Sequence, residues 1–148
     1  MQFMLFKRKP PKPEPFFPWL PTGYSVGIAG FDKDHRQAVR LLNQIHFVLI
    51  KDRDRAYAYQ LMQQLFQLTR IHFAEEEAAL KESGYPYFES HLAEHERLLA
   101  ETADLLKQFT LHTISDLAFP NFVAQWLIGH ITGPDQKYSR WLRSKQNP

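Results

Sequence analysis

Residues 88–109 read FESHLAEHERLLAETADLLKQF. Phe88, His91, His95, Leu98, Thr102, Leu105 and Phe109 recur there at alternating spacings of three and four. Such spacings stack side chains on one face of an α-helix, the seam that near-antiparallel helices bury against one another. Seven of the fifteen residues between them are charged, so the stripe is the inner face. Two of its members are nevertheless histidines one turn apart. Their purpose depends on where the other histidines fall.

The rest of the chain repeats the pattern. A helix is predicted over about 32–50, with Asp32 or Asp34 in its first turn and His35, Ala38, Leu42, Ile45 and Leu49 facing inward. After KDRDR, a second helix is predicted over about 54–82, with Leu61, Leu65, Leu68, His72, Glu76 and Ala79 on one face. SGYPY, with Gly84 and Pro86, stops it before residue 88. The last helix of the set is predicted over about 115–131, with Phe119, Val123, Trp126, Leu127 and His130 inward. Gly133-Pro134 interrupts it, and a helical tail runs on through Tyr138 and Trp141. Four amphipathic helices with short connections predict an all-α, up-down-up-down antiparallel four-helix bundle over residues 24–148. Residues 1–23 hold most of the ten prolines, which predicts an extended N-terminal arm packed onto the body by Phe16, Phe17 and Trp19.

Composition narrows the chemistry. The chain contains no cysteine, so disulfides, thiolate metal sites and cysteine nucleophiles are excluded and any metal must take nitrogen and oxygen ligands. A net charge of +2 with scattered basic residues gives no nucleic-acid footprint, and the run KRKPPK is expected to be a solvated tail. MQFMLFKRKPP does not match a signal peptide. The longest uncharged run, LAFPNFVAQWLIGHITG, is broken by Pro120, Asn121, Gln125 and His130, so no membrane span is expected. The expectation is a soluble, cytoplasmic, monomeric protein.

The inner stripes hold His35, His72, Glu76, His91, His95 and His130, and burying one such group unpaired costs several kcal/mol. Six need a shared cause, and helix rise supplies it. His35 lies about 17 residues before the first interhelical turn and His72 about 18 after it, each roughly 25 Å away at 1.5 Å per residue. Glu76 and His95 stand about nine and ten residues from the second turn, and His95 and His130 about 17–18 from the third. In an antiparallel bundle all six therefore meet at one level near one end. Five imidazoles and a carboxylate gathered there make a metal site. Asp135, five residues after His130, is about 140° away on an ideal helix, but the Gly133-Pro134 break can swing it inward.

Five nitrogens and two carboxylates exceed one tetrahedral zinc and suit two six-coordinate ions. Glu76 and Asp135 can each bridge, having two oxygens. His91, His95 and His130 then fill one metal, and His35 and His72 serve the other. With a solvent-derived bridge the first counts six ligands and the second five, which leaves one position for a small ligand.

His35, HFAEE with His72 and Glu76, HLAEH with His91 and His95, and HITGPD with His130 and Asp135 together resemble the hemerythrin family in its bacterial form. GYSVGIAGFDKDH before the first helix and YPYFESHLAEH add to the resemblance, which spans about residues 19–142. It implies two iron ions, Fe2+ or Fe3+, with a bridging oxide or hydroxide and O2 as a reversible ligand at the two-histidine iron: an oxygen carrier, store or delivery protein and not an enzyme. It also implies a dry O2 pocket walled by Phe73, Trp126, Leu127 and Ile131, with Ala38 standing where the family is often bulkier.

Other polar residues are expected to lie apart. His46 is about 16 Å along the axis from His35 and is read as a groove histidine, and His112 as a surface turn residue. Glu75, Glu77 and Glu94 are read as solvated helix charges, and Tyr138 as a packing residue, with a hydrogen bond to a group beside the ligands as the alternative. Two other functions compete with the carrier: an O2 or redox sensor, with a protein partner at the N-terminal arm, and a di-iron oxidase or peroxidase. Oxygen-activating bundles use more carboxylates and fewer histidines, which favours reversible binding here.

Overall fold

The computed structural model describes residues 15–19 and 21–146. In chain order they form α1 (Pro21–Tyr24), α2 (Ala29–Phe47), a π-helical turn (Val48–Asp52), α3 (Arg55–Glu82), α4 (Phe88–Thr110), α5 (Ala118–Thr132) and α6 (Pro134–Gln146). No strand occurs among the described residues, and no helix among them is long and apolar enough to cross a membrane.

The reversals follow from local chemistry. Arg53 takes a left-handed conformation after the π turn, and Asp54 then caps α3 by accepting a hydrogen bond from the Tyr57 amide at 3.0 Å. Gly84, at φ +69°, turns the chain between α3 and α4. After α4, His112 takes φ +56°, and Arg55 ties the loop down by donating to the Phe109 carbonyl at 2.6 Å and pairing with Asp116. α2 packs against α3 and α5, and α4 packs against the same two, which closes a ring of four helices.

Three boundaries differ from expectation. The first helix begins at Ala29 rather than Asp32. Asp32 is buried and turns back to accept hydrogen bonds from the Val26 amide at 2.7 Å and Ser25 Oγ at 2.6 Å, so it anchors the preceding loop. The fourth begins at Ala118, three residues beyond Ser115, because Asp116 is held by Arg55. Of the predicted arm, residues 1–14 and 20 lie outside the described residues. Residues 15–19 have no regular structure, whereas Pro21–Tyr24 form a helical turn; the proline φ suits the first position of a helix. Asn43 grips the Phe17 backbone, donating to its carbonyl at 2.7 Å and accepting from its amide at 2.6 Å.

Two apolar clusters fill the bundle. The larger gathers Leu42, Ile45, Met62, Leu65, Phe109, Phe119 and Val123 with their neighbours. The smaller joins Val26, Phe31, Leu80, Tyr85 and Tyr138 at the other end. Along α2 the order is Phe31, His35, Leu42, and along α3 it is Leu65, His72, Glu76, Leu80. The histidine level is therefore a polar layer between two apolar plugs.

Candidate metal centre

His35 comes from α2, His72 and Glu76 from α3, His91 and His95 from α4, His130 from the last turn of α5 and Asp135 from the first turn of α6. All seven side chains are buried, with Glu76, His95 and Asp135 at 0% exposure. Ligating atoms of Glu76, His91, His95 and His130 lie within 4.8 Å of one another, as do those of His35, His72 and Glu76.

Asp135 reaches this layer because the helix breaks. α5 ends at Thr132, and Gly133 takes φ −111° and ψ −96°, outside helical values. Pro134 opens α6, its ring suited to the first helical position. The redirected backbone brings Asp135 Oδ1 to 3.0 Å from His130 Nε2 and Oδ2 to 3.4 Å from His35 Nε2.

The two carboxylates divide the imidazoles in the same way. Glu76 Oε1 contacts His91 Nε2 and lies 3.1 Å from His95 Nε2, while Oε2 lies 3.2 Å from His72 Nε2. Asp135 turns Oδ1 toward His130 and His91 and Oδ2 toward His35. Each carboxylate thus has one oxygen on the three-histidine side and one on the two-histidine side.

The outer nitrogens show which lone pairs point inward. His72 Nδ1 donates to Asp34 Oδ2 at 2.9 Å, and His95 Nδ1 donates to Glu77 Oε1 at 2.8 Å. A proton held on Nδ1 leaves Nε2 as the lone-pair nitrogen, and a carboxylate behind it makes that nitrogen a better ligand. Nε2 of His72 faces Nε2 of His35 at 3.1 Å, and Nε2 of His95 faces Nε2 of His130 at 3.1 Å. Ring nitrogens this close need a proton or a metal ion between them.

Charge is strained across the layer. Burial and the neighbouring His72 push the His35 pKa down to about 3. Burial also opposes charge on His72, but hydrogen bonds to Glu76 and Asp34 outweigh it and raise its pKa to about 9. Burial likewise works against the Glu76 anion, yet hydrogen bonds from His72, His91 and His95 hold it well below the usual carboxylate range. Asp135 is pushed well above that range by burial and by the Glu76 charge, and neither of its buried oxygens has a hydrogen-bond partner. A buried carboxylate with both oxygens unpartnered costs several kcal/mol unless a cation or proton joins it. The donor set therefore fits metal ions: seven side chains, nitrogen and oxygen only, two of them able to bridge.

A cavity of about 20 Å3 adjoins the two-histidine side, lined by His35, His72, Ala38, Leu68, Thr69, Phe73, Trp126 and Leu127. That is room for about one water-sized molecule. Four of the five predicted pocket walls line it. Ile131 does not; it is buried in the larger apolar cluster. Leu68 and Thr69 line the cavity instead, one turn before His72. Thr69 could not be singled out from the sequence, because a lone threonine beside an apolar stripe carries no signal.

Other outlying residues also need correction. Glu77 is not a solvated charge, since it accepts a hydrogen bond from His95 Nδ1, and Asp34 does the same for His72 rather than serving only the start of α2. Tyr138 is fully buried and donates to Glu76 Oε2 at 2.9 Å. Glu75 is exposed, and Glu94 is engaged by Arg97 at 2.7 Å. His46 is half-buried and stacked on Phe16, ring centroids 4.0 Å apart, and His112 is exposed.

Known proteins resemble this chain over most of its length. The family model for the hemerythrin HHE cation binding domain matches residues 26–142. A bacteriohemerythrin of Stenotrophomonas maltophilia is 31% identical over 124 residues, covering 83% of this chain and 80% of that protein. A bacteriohemerythrin of Methylococcus capsulatus is 27% identical, with 84% and 95% covered. A hemerythrin of Sipunculus nudus is 30% identical, with 89% and 98% covered. A crystal structure of wild-type hemerythrin superposes with a TM-score of 0.78 at 25% identity, covering 84% of this chain and 96% of that one.

Proposed function

The chain belongs to the hemerythrin family, and from that premise we propose that it binds dioxygen reversibly as a carrier or store. Its ligands for two non-haem iron ions are His35, His72, Glu76, His91, His95, His130 and Asp135. An iron pair held by these residues would supply the electrons for reversible O2 binding. The observation that carries the ligand assignment is the division of both carboxylates, one oxygen of each toward either set of imidazoles.

The chain's own residues have separate tasks. Asp34 and Glu77 keep His72 and His95 in the tautomer that offers Nε2. Tyr138 donates to Glu76 Oε2 and limits how that carboxylate can turn. Ala38, Leu68, Phe73 and Leu127 present apolar atoms to the small cavity beside His35 and His72, which favours a small neutral ligand there and disfavours water and ions. That cavity touches the two-histidine side, which supports ligand uptake at the iron with fewer protein ligands.

The test is direct. The purified protein is expected to hold two irons per chain and to give a visible spectrum that appears in air and disappears under argon through repeated cycles. One iron per chain, or colour that is lost irreversibly as an added substrate is consumed, would replace this reading with a mononuclear site or an oxidase.

A further inference from the structure

Each of the seven clustered side chains is at most 5% exposed, yet His91 forms part of the wall of a surface groove of about 260 Å3. Tyr85, Tyr87, Glu94 and Lys137 line the same groove. The Tyr85 ring lies 6.5 Å from the His91 ring and 5.8 Å from that of Tyr87, and Tyr87 is 52% exposed. Three π systems therefore run in near contact from the cluster to solvent. A branch leads from Tyr85 to Trp141 at 6.0 Å. Cations cover both outer rings: Lys137 Nζ stands 3.5 Å from the Tyr87 ring centroid and Lys145 Nζ 4.3 Å from that of Trp141. The exposed charges of α6 are Lys137, Arg140, Arg143 and Lys145, with no exposed acid on that helix; Lys137 and Lys145, about 80° apart around the axis, fall on one side of it, whereas Arg143 lies against Gly27. Glu94, across the groove, is already paired with Arg97.

Packing within the bundle does not call for a cationic helix face over a half-exposed tyrosine. Electron delivery does. Any iron left ferric needs one electron to become ferrous again, and tunnelling falls off exponentially with distance, so a donor must approach where the buried pair lies nearest the surface. A positive face gathers and orients an acidic partner. We propose, resting on the di-iron reading above, that the α6 face with Tyr87 docks an acidic one-electron carrier protein, which re-reduces the oxidised iron pair by way of Tyr87, Tyr85 and His91. Each encounter oxidises one carrier by one electron and converts one ferric ion to ferrous. Two encounters restore the pair. The rings act as tunnelling bridges, and no covalent bond in the chain forms or breaks.

The experiment uses the iron-loaded protein, oxidised with ferricyanide, desalted and mixed under argon in a stopped-flow instrument with a reduced, acidic [2Fe–2S] ferredoxin. At low ionic strength the double variant Lys137→Glu/Lys145→Glu is expected to slow the second-order reduction by about tenfold or more, with the difference closing at high salt. Tyr87→Leu is expected to slow the limiting rate at saturating ferredoxin severalfold. Calorimetry gives a readout independent of turnover: the Kd for oxidised ferredoxin should weaken about tenfold in the double variant and change little in Tyr87→Leu. Lys107→Glu, at the far end of α4, controls for net charge. Equal rates and Kd for wild type and double variant, or an equal loss in Lys107→Glu, overturn the proposal while leaving the O2-binding reading intact. A chain that takes up no iron defeats that reading, and calorimetry then still decides whether the α6 face binds the ferredoxin.

Discussion

His72 contributes Nε2 to the two-histidine side while Asp34 holds its Nδ1 proton. His35 completes that side with one orphaned outer nitrogen, Nδ1, which is buried and has no partner. Under the ligand assignment proposed above, His35→Ala or His72→Ala removes one of only two imidazoles from that iron. Iron analysis of either variant is expected to fall from two toward one per chain, and the air-dependent spectrum is expected to vanish. Retention of two irons and reversible colour in both would reject the assignment. The identities of these residues were legible because imidazoles in an apolar stripe stand out. The carboxylates behind them were not. Glu75, Glu76 and Glu77 are three consecutive acids, and a shift of one residue rotates a side chain by about 100°. Glu76 could be picked out by its place in the stripe. Whether Glu77 met water or His95 depended on how α4 lies against α3, which the periodicity of one helix does not state.

The break between α5 and α6 decides whether a seventh donor exists. Gly133 has an unusual backbone conformation, and an added Cβ would come within 2.8 Å of the Gly129 carbonyl oxygen. That contact cannot be relieved by a rotamer, because the oxygen belongs to the backbone. Gly133→Ala is therefore expected to shift the start of α6 and with it Asp135, lowering stability by about 1–3 kcal/mol and iron occupancy with it. Urea unfolding and iron analysis of the same preparation check both effects. Asp54→Ala, which removes the cap of α3 far from the histidine layer, should cost about 1 kcal/mol and leave iron content unchanged. The Gly-Pro pair announced a break in the sequence, but its direction was set by packing: Tyr138 and Ser139 are both fully buried, and Ser139 donates to the Val26 carbonyl. These contacts hold α6 across the open end of the bundle.

At the scale of the molecule, a polar layer is held between two apolar plugs, and one small cavity meets it on the two-histidine side. Replacing an apolar cavity wall with a charge should admit water and let the bound gas leave with an electron. Leu127→Asp is accordingly expected to shorten the lifetime of the oxygenated form, read as the rate at which its spectrum decays in air. An unchanged decay rate would show that dryness at this wall does not protect the site. The helices, their inner faces and the common height of six ionisable residues could be derived from the chain alone, because helix rise and periodicity are local properties that every residue carries with it. The inward turn of Asp135, the roles of Asp34, Glu77 and Tyr138, the exclusion of Ile131 from the cavity and the aromatic path beside His91 were decided only when the helices packed. Each depends on the azimuth and tilt of one helix against another, and those are fixed by contacts between residues far apart in the chain.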